Sequence, residues 1–288
     1  MQLQLPSLCY TLRLATYHPH CASYQTRENE AVDTLEATAM TSFSAANIAL
    51  ISLTFVLAGL VKGATGMGLP TVAMGALGAS MLPVQAAALL ILPSFITNVW
   101  QLFAGPRFGA LVRRFWVMMV GIVIGTLAAA SLITSGAANW AITGLAVALM
   151  IYAALGLFAR RLSVPSRIEH RLSPLVGLVT GLVTGGTGVF VIPAVPYLQA
   201  LDLTKEELVQ ALGLSFTVST VALAVGLARE HAFVVEDIRN SLLAVGPALL
   251  GMWIGQCIRR RVSPATFRRW FFVCLLALGM ELLVRQYF

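Results

Sequence analysis

The stretch Gly59-Leu-Val-Lys-Gly-Ala-Thr-Gly-Met-Gly-Leu-Pro70 decides how this chain reads. Four glycines, a lysine and a proline break an otherwise apolar run over residues 43–80. About 120 residues later Gly181-Leu-Val-Thr-Gly-Gly-Thr-Gly188, followed by Ile192-Pro193, repeats the pattern. In membrane proteins, glycine-interrupted hydrophobic segments at matching positions of two halves point to a transporter's binding site.

Working outward, composition fixes the class. Of 288 residues 58% are hydrophobic and 11% charged, with mean hydropathy +0.83. Soluble domains carry about 25% charged residues, so the chain reads as an all-α polytopic membrane protein. The net charge of +7 sits in short arginine-rich loops, which is a topology signal rather than a nucleic-acid surface. Cys9, Cys21, Cys257 and Cys274 form no CxxC pair and imply neither a disulfide framework nor a metal site.

Residues 1–42 are polar and read as a disordered tail without a signal-peptide pattern. Met40 leads directly into the first span and reads as a candidate for the true start. From Phe43 onward about eight hydrophobic segments follow, roughly 43–80, 84–103, 115–133, 140–158, 174–201, 207–228, 240–258 and 270–284. The first and fifth are the broken ones, and Ser173–Val183 and Val189–Ala200 look too short to cross alone.

The repeat extends beyond the glycines. Leu92-Pro-Ser-Phe95 matches Leu214-Ser-Phe216, and Gly121/Gly125 match Gly251/Gly255. The expected organisation is therefore a first transmembrane repeat at 43–158, a basic cytoplasmic linker at 159–173 and a second repeat at 174–288. Glycines four apart let membrane helices approach closely, so the outer pairs read as packing.

Three loops carry dense arginine, at residues 107–114, 160–171 and 259–269. The positive-inside rule wants all three on one side. That holds if each broken segment enters and returns as a hairpin, leaving three crossings per half and inverted repeats. If all eight segments cross, the third run falls opposite the first two.

Non-helical backbone survives at membrane depth only where it lines protein or a cavity. A glycine break followed by a helix start presents N–H groups and a positive dipole end, so two such ends would suit an anion. The candidate binding residues are Lys62, Gly63, Thr65, Gly66, Gly68 and Pro70 in the first break. Thr184, Gly185, Gly186, Thr187, Gly188 and Pro193 occupy the second. Thr65 and Thr187 are read as hydroxyl donors. Lys62, one of two lysines in the chain, is the candidate cation; the competing reading is a lysine snorkelling from a helix end. Ser94, Asn98, Ser215 and Ser219 complete the set. Thr97, Gln101, Thr217 and Thr220 are further polar residues on the same segments, where a hydroxyl more often bonds its own helix. A Glu281–Arg285 helix-end pair is expected at the last segment.

From Ala37 to Ile168 there is no Asp or Glu, which excludes a carboxylate proton relay or a di-acidic cation site in the first half. No nucleotide motif is present. No cofactor is implied. The spans hold no His or Asp for a membrane acyl- or prenyltransferase, so the chain is not read as an enzyme. Expected partners are a small anionic substrate and the lipid bilayer, with no nucleic acid; self-association into a homo-oligomer stays open.

With both motifs quoted, the chain resembles the TauE/SafE sulfite exporter family, also called the toluenesulfonate uptake permease family. The resemblance covers residues 43–284 and includes the Gly246-Pro-x3-Gly251-x3-Gly255 run. It implies a multi-pass permease of the bacterial inner membrane moving sulfur-containing anions such as sulfite, sulfonates or sulfoacetate. Ala64, Met67, Val189 and Phe190 stand where this family's motif often has glycine, which puts the pocket's fine geometry in question. A passive anion channel and a permease for small organic carboxylates are the alternative functions.

Overall fold

The computed structural model describes residues 45–134, 138–158, 163–232, 235–259 and 264–287. The expected tail, the start at Met40 and residues 159–162 of the linker lie outside the described residues. Leu50–Phe288 forms one compact unit. Of the chain before it, only the opening residues of the first helix, 45–49, are described.

Among the described residues the chain forms ten helices and no strand. In the first half these are α1 (Ala45–Thr65), α2 (Leu69–Gly78), α3 (Pro83–Leu102), α4 (Phe108–Thr134) and α5 (Ala138–Phe158). The second half has α6 (Ser166–Thr187), α7 (Ala194–Ala200), α8 (Lys205–Arg229), α9 (Val235–Arg259) and α10 (Pro264–Tyr287). Among the described residues six stretches are long and apolar enough to cross a membrane: Ile48–Thr65, Pro83–Leu102, Phe108–Thr134, Trp140–Phe158, Lys205–Arg229 and Arg239–Ile258.

Local chemistry sets the breaks. α1 stops where Gly66 and Gly68 take left-handed φ values of 80° and 102°, which a side chain would resist. Leu69-Pro70 then starts α2, where proline's missing N–H costs nothing. Gly188, at φ 72°, caps α6 by donating to the Thr184 carbonyl at 2.8 Å.

The sequence suggested that each broken segment holds two half-helices. α1 and α6 instead have 21 and 22 residues, about 30 Å at 1.5 Å per residue; only α2 and α7 are short. α6 also begins inside the stretch read as a linker. Pro174 marked its apparent start, but the helix runs through it. Its first turns are pinned by Glu169, which accepts from Arg114 on α4 at 2.6 and 2.8 Å.

Glycines fix the packing. A Cβ on Gly121, Gly125, Gly177, Gly181 or Gly185 would strike backbone of the facing helix, so α4 and α6 lie parallel in direct backbone contact. Gly59, Gly63, Gly251 and Gly255 bring α1 and α9 together in the same way, also parallel. α3 runs antiparallel to α8, with Gly213 against Gln101 and Leu102. α5 runs antiparallel to α10, with Gly156 against Phe272 and Gly279 against Ala146 and Leu149.

Two further contacts locate the return limbs. Tyr197 on α7 donates to the Glu169 carbonyl at 3.1 Å and lies 2.7 Å from the Ser173 hydroxyl, at the start of α6. Arg285 near the end of α10 donates to the carbonyl of Ala79, just after α2, at 3.2 Å. Met67 lies 3.8 Å from Gln199, and a Cβ on Gly188 would meet Met74, so the two limbs run side by side in opposite directions.

Candidate functional site

The polar residues of α1, α3 and α8 converge in the interior. Lys62 stands on the last turn of α1, because the helix continues through it before breaking at Gly66. Its side chain is 3% exposed, its Nζ donates to Asn98 Oδ1, and it lies 5.9 Å from the ring centroid of Phe216. Asn98 passes the link on, its Nδ2 donating to Thr220 Oγ1 at 3.2 Å. Thr220 donates to the Phe216 carbonyl of its own helix. Among the described residues no carboxylate pairs with Lys62.

Ser94, Ser215 and Ser219 are fully buried, and their hydroxyls have no hydrogen-bond partner. Ser94 and Asn98 share one face of α3, and Ser215 and Ser219 share one face of α8, being four residues apart. A buried polar atom without a partner costs about 1–3 kcal/mol. An unneutralised buried ammonium costs several kcal/mol. A buried amine, and partnerless hydroxyls on the two helices that its Asn98–Thr220 link joins, are matched to a ligand that accepts hydrogen bonds and carries negative charge. Phe216, packed against Phe190 with ring centroids 5.4 Å apart and the rings tilted by 57°, gives this cluster an aromatic wall.

The remaining sequence candidates separate by role. Thr65 and Thr187 do not present free hydroxyls. Each donates to its own helix, to Val61 and Val183, and each accepts the N–H two residues on, from Met67 and Val189. They staple the two breaks in the same geometry. Thr184 donates to the Thr180 carbonyl. Gly63 and Gly185 are taken up by packing against the backbones of Met252 and Thr126. Gly66, Gly68 and Gly188 shape the breaks, Pro70 starts α2, and Pro193 precedes α7. Gly186 lies apart, with Leu132 the nearest side chain to its Cβ position. Around the starts of α2 and α7 the buried side chains Leu69, Val189, Phe190, Val191 and Val195 are apolar, and buried Thr71 spends its hydroxyl on the Gly68 carbonyl at 2.8 Å, so the polar cluster is not built on those helix N-termini.

Two contributors were missed by sequence reasoning. Phe216 was quoted only as part of a repeat, and nothing in an apolar helix distinguishes a wall residue from core. Gln210, 1% exposed, follows the Thr204–Glu207 capping box, and no sequence signal marks it as buried. Gln101, 6% exposed, ties α3 to the first break by donating to the Gly66 carbonyl at 2.9 Å. Thr97 and Thr217 donate to their own helices.

No curated protein and no solved structure matches the chain. A family model does, that of the sulfite exporter TauE/SafE, over residues 51–282, a span that takes in both glycine breaks, α3, α8 and the Lys62 cluster. The chain is a membrane protein of the TauE/SafE sulfite exporter family.

Proposed function

We propose that the chain is a secondary transporter of small anions, sulfur-containing ones such as sulfite, sulfonates or sulfoacetate first among them, in a bacterial inner membrane. The observation that carries this reading is the buried Lys62 amine, unpaired with any carboxylate among the described residues, with three partnerless serine hydroxyls on the two helices, α3 and α8, that its Asn98–Thr220 link joins. Lys62 supplies charge, and Ser94, Ser215, Ser219 and Asn98 supply directed hydrogen bonds. Membership of a family of exporters supports the same direction.

The working architecture has inverted halves. α1–α2 enters from one face and returns to it, while α6–α7 enters from the opposite face and returns there. α3, α4, α5, α8, α9 and α10 then cross. Three contacts support this: the Ala79–Arg285 bond, the Tyr197–Ser173 contact and the parallel pairing of α1 with α9. In this arrangement the arginine runs at 107–114, 160–171 and 259–269 share a face, as the positive-inside rule wants. Two opposed hairpins meeting side by side give the near-symmetric hinge that alternating access uses.

Reconstitution into liposomes tests the reading. Saturable sulfite or sulfonate uptake, competed by the unlabelled anion and accelerated by anion preloaded on the other side, is the expected result. Flux rising linearly with concentration marks a passive channel. Uptake of short carboxylates in preference to sulfur anions shifts the substrate class.

A further inference from the structure

Between the Lys62 cluster and the arginine-bearing end of the bundle, two buried glutamines join the halves. Gln101 uses its amide nitrogen twice, donating to the carbonyls of Gly66 in the first break (2.9 Å) and Val209 on α8 (3.0 Å). Gln210 donates to the carbonyls of Leu102 (2.9 Å) and Gly105 (2.7 Å), and its Oε1 accepts the Arg107 N–H at 3.0 Å. Outside them, Arg107 and Glu207 form an ion pair at 3.0 Å. Gly213 makes the close approach possible, since a Cβ there would lie 2.6 Å from the Leu102 nitrogen.

Chain direction orders these layers. Gln101 is three residues beyond Asn98 toward the arginine-bearing end of α3, so the glutamines lie between Lys62 and that face. Ser94 lies on the other side of the cluster, about one helical turn farther from that face on α3, and its hydroxyl is partnerless. On the Asn98 face of α3, the polar group toward the arginine-bearing face, Gln101, is therefore satisfied, and the one on the other side, Ser94, is not. The sealed carbonyls of Gly66 and Leu102 lie at helix ends and that of Gly105 in the turn between α3 and α4, so each needs a partner from outside a helix. A glutamine amide fills that need in the closed arrangement, and water fills it once the corner opens. That exchange keeps the difference between the two states small.

We infer that Gln101 and Gln210 form the gate on the arginine-bearing face, and that the conformation described is closed there. The inference rests on the reading of Lys62 as the anion site. Opening separates the first turn of α8 from the last turn of α3, and releases the first glycine break from Gln101. Plain helix capping accounts for the same bonds but requires no change in access when they are lost.

The test measures access rather than anion binding, so a failure of the site and a failure of the gate are distinguishable. In full-length protein whose four cysteines are replaced by alanine, Ser94→Cys reports on the interior, with an impermeant thiosulfonate reagent applied to one face of oriented vesicles at a time. Gln210→Leu should raise labelling from the arginine-bearing face at least about tenfold, the change expected when one or two net hydrogen bonds leave an opening equilibrium. Labelling from the other face should stay the same. Ser241→Ala is the control: it removes a buried bridge to α3, at the Leu89 carbonyl and Leu92 N–H, away from the glutamines. It should leave access from the arginine-bearing face unchanged. Gln101→Asn, which shortens the amide without deleting it, should reproduce the effect and serves if Gln210→Leu does not fold. Unchanged labelling in a folded glutamine variant overturns the gate, as does an equal rise in Ser241→Ala.

Discussion

Lys62 and Asn98 are joined directly: the amine at the end of α1 donates to the amide oxygen on α3, which in turn holds Thr220 of α8 at 3.2 Å. One side chain thus links a glycine break in the first half to a helix of the second. An anion that takes the place of Asn98 Oδ1 beside Lys62 would free Asn98 from one partner without freeing it from the other. Occupancy of the site and the α3–α8 contact are coupled through that residue.

The partnerless serines give the first prediction. Ser215→Ala deletes a buried hydroxyl that has no bond to lose, so the ligand-free protein should keep its melting temperature or gain up to about 1 kcal/mol. Its affinity for sulfite should fall about fivefold to tenfold, one neutral hydrogen bond's worth. Melting curves with and without anion measure both. A large loss of stability without anion would show that the hydroxyl is structural.

Glycine substitutions should separate packing from shape. In Gly255→Ala the new methyl falls on the Leu60 carbonyl of α1, and a loss of about 2 kcal/mol or more is expected. Gly109→Ala adds a methyl to open space, and stability should be unchanged or slightly raised. Thermal unfolding of the detergent-solubilised variants decides. Equal losses would contradict the close α1–α9 contact.

The inverted arrangement makes a sidedness prediction. Single cysteines replacing the exposed Arg113, Arg167 and Arg269 should all react from one face of the membrane, and one replacing Arg285 from the other. Labelling of the Arg269 reporter opposite to that at Arg113 would return the chain to eight simple crossings.

Much of this was legible in the sequence because it is repeated. The doubled glycine motif marked both breaks, and Gly121/Gly125 with Gly251/Gly255 marked the two close helix pairs. The Glu281–Arg285 pair forms at 2.8 Å. Lys62, Asn98, Ser94, Ser215 and Ser219 stood out as polar residues on apolar segments. What was not legible depends on three-dimensional direction. Whether a threonine hydroxyl faces the ligand or its own carbonyl is a rotamer choice, and Thr65 and Thr187 chose the backbone. The start of α6 was hidden by Pro174, whose helix is held by the partner across the Arg114–Glu169 pair. Gln210 carries no sequence signal, because nothing local says that the end of α3 lies over it.

Ligand-induced stabilisation measures the central claim most directly, because a bound ligand raises stability only of the state that holds it. Purified protein is melted with sulfite, a sulfonate, sulfate, a short carboxylate and a panel of cations, beside its Lys62→Gln variant, which keeps a donor for Asn98 and removes the charge. A sulfur anion at about one hundred times its dissociation constant should add about 2.7 kcal/mol, and Lys62→Gln should weaken its binding at least about tenfold, the loss of a charged hydrogen bond. Stabilisation by cations alone, or undiminished anion affinity in Lys62→Gln, would contradict the account.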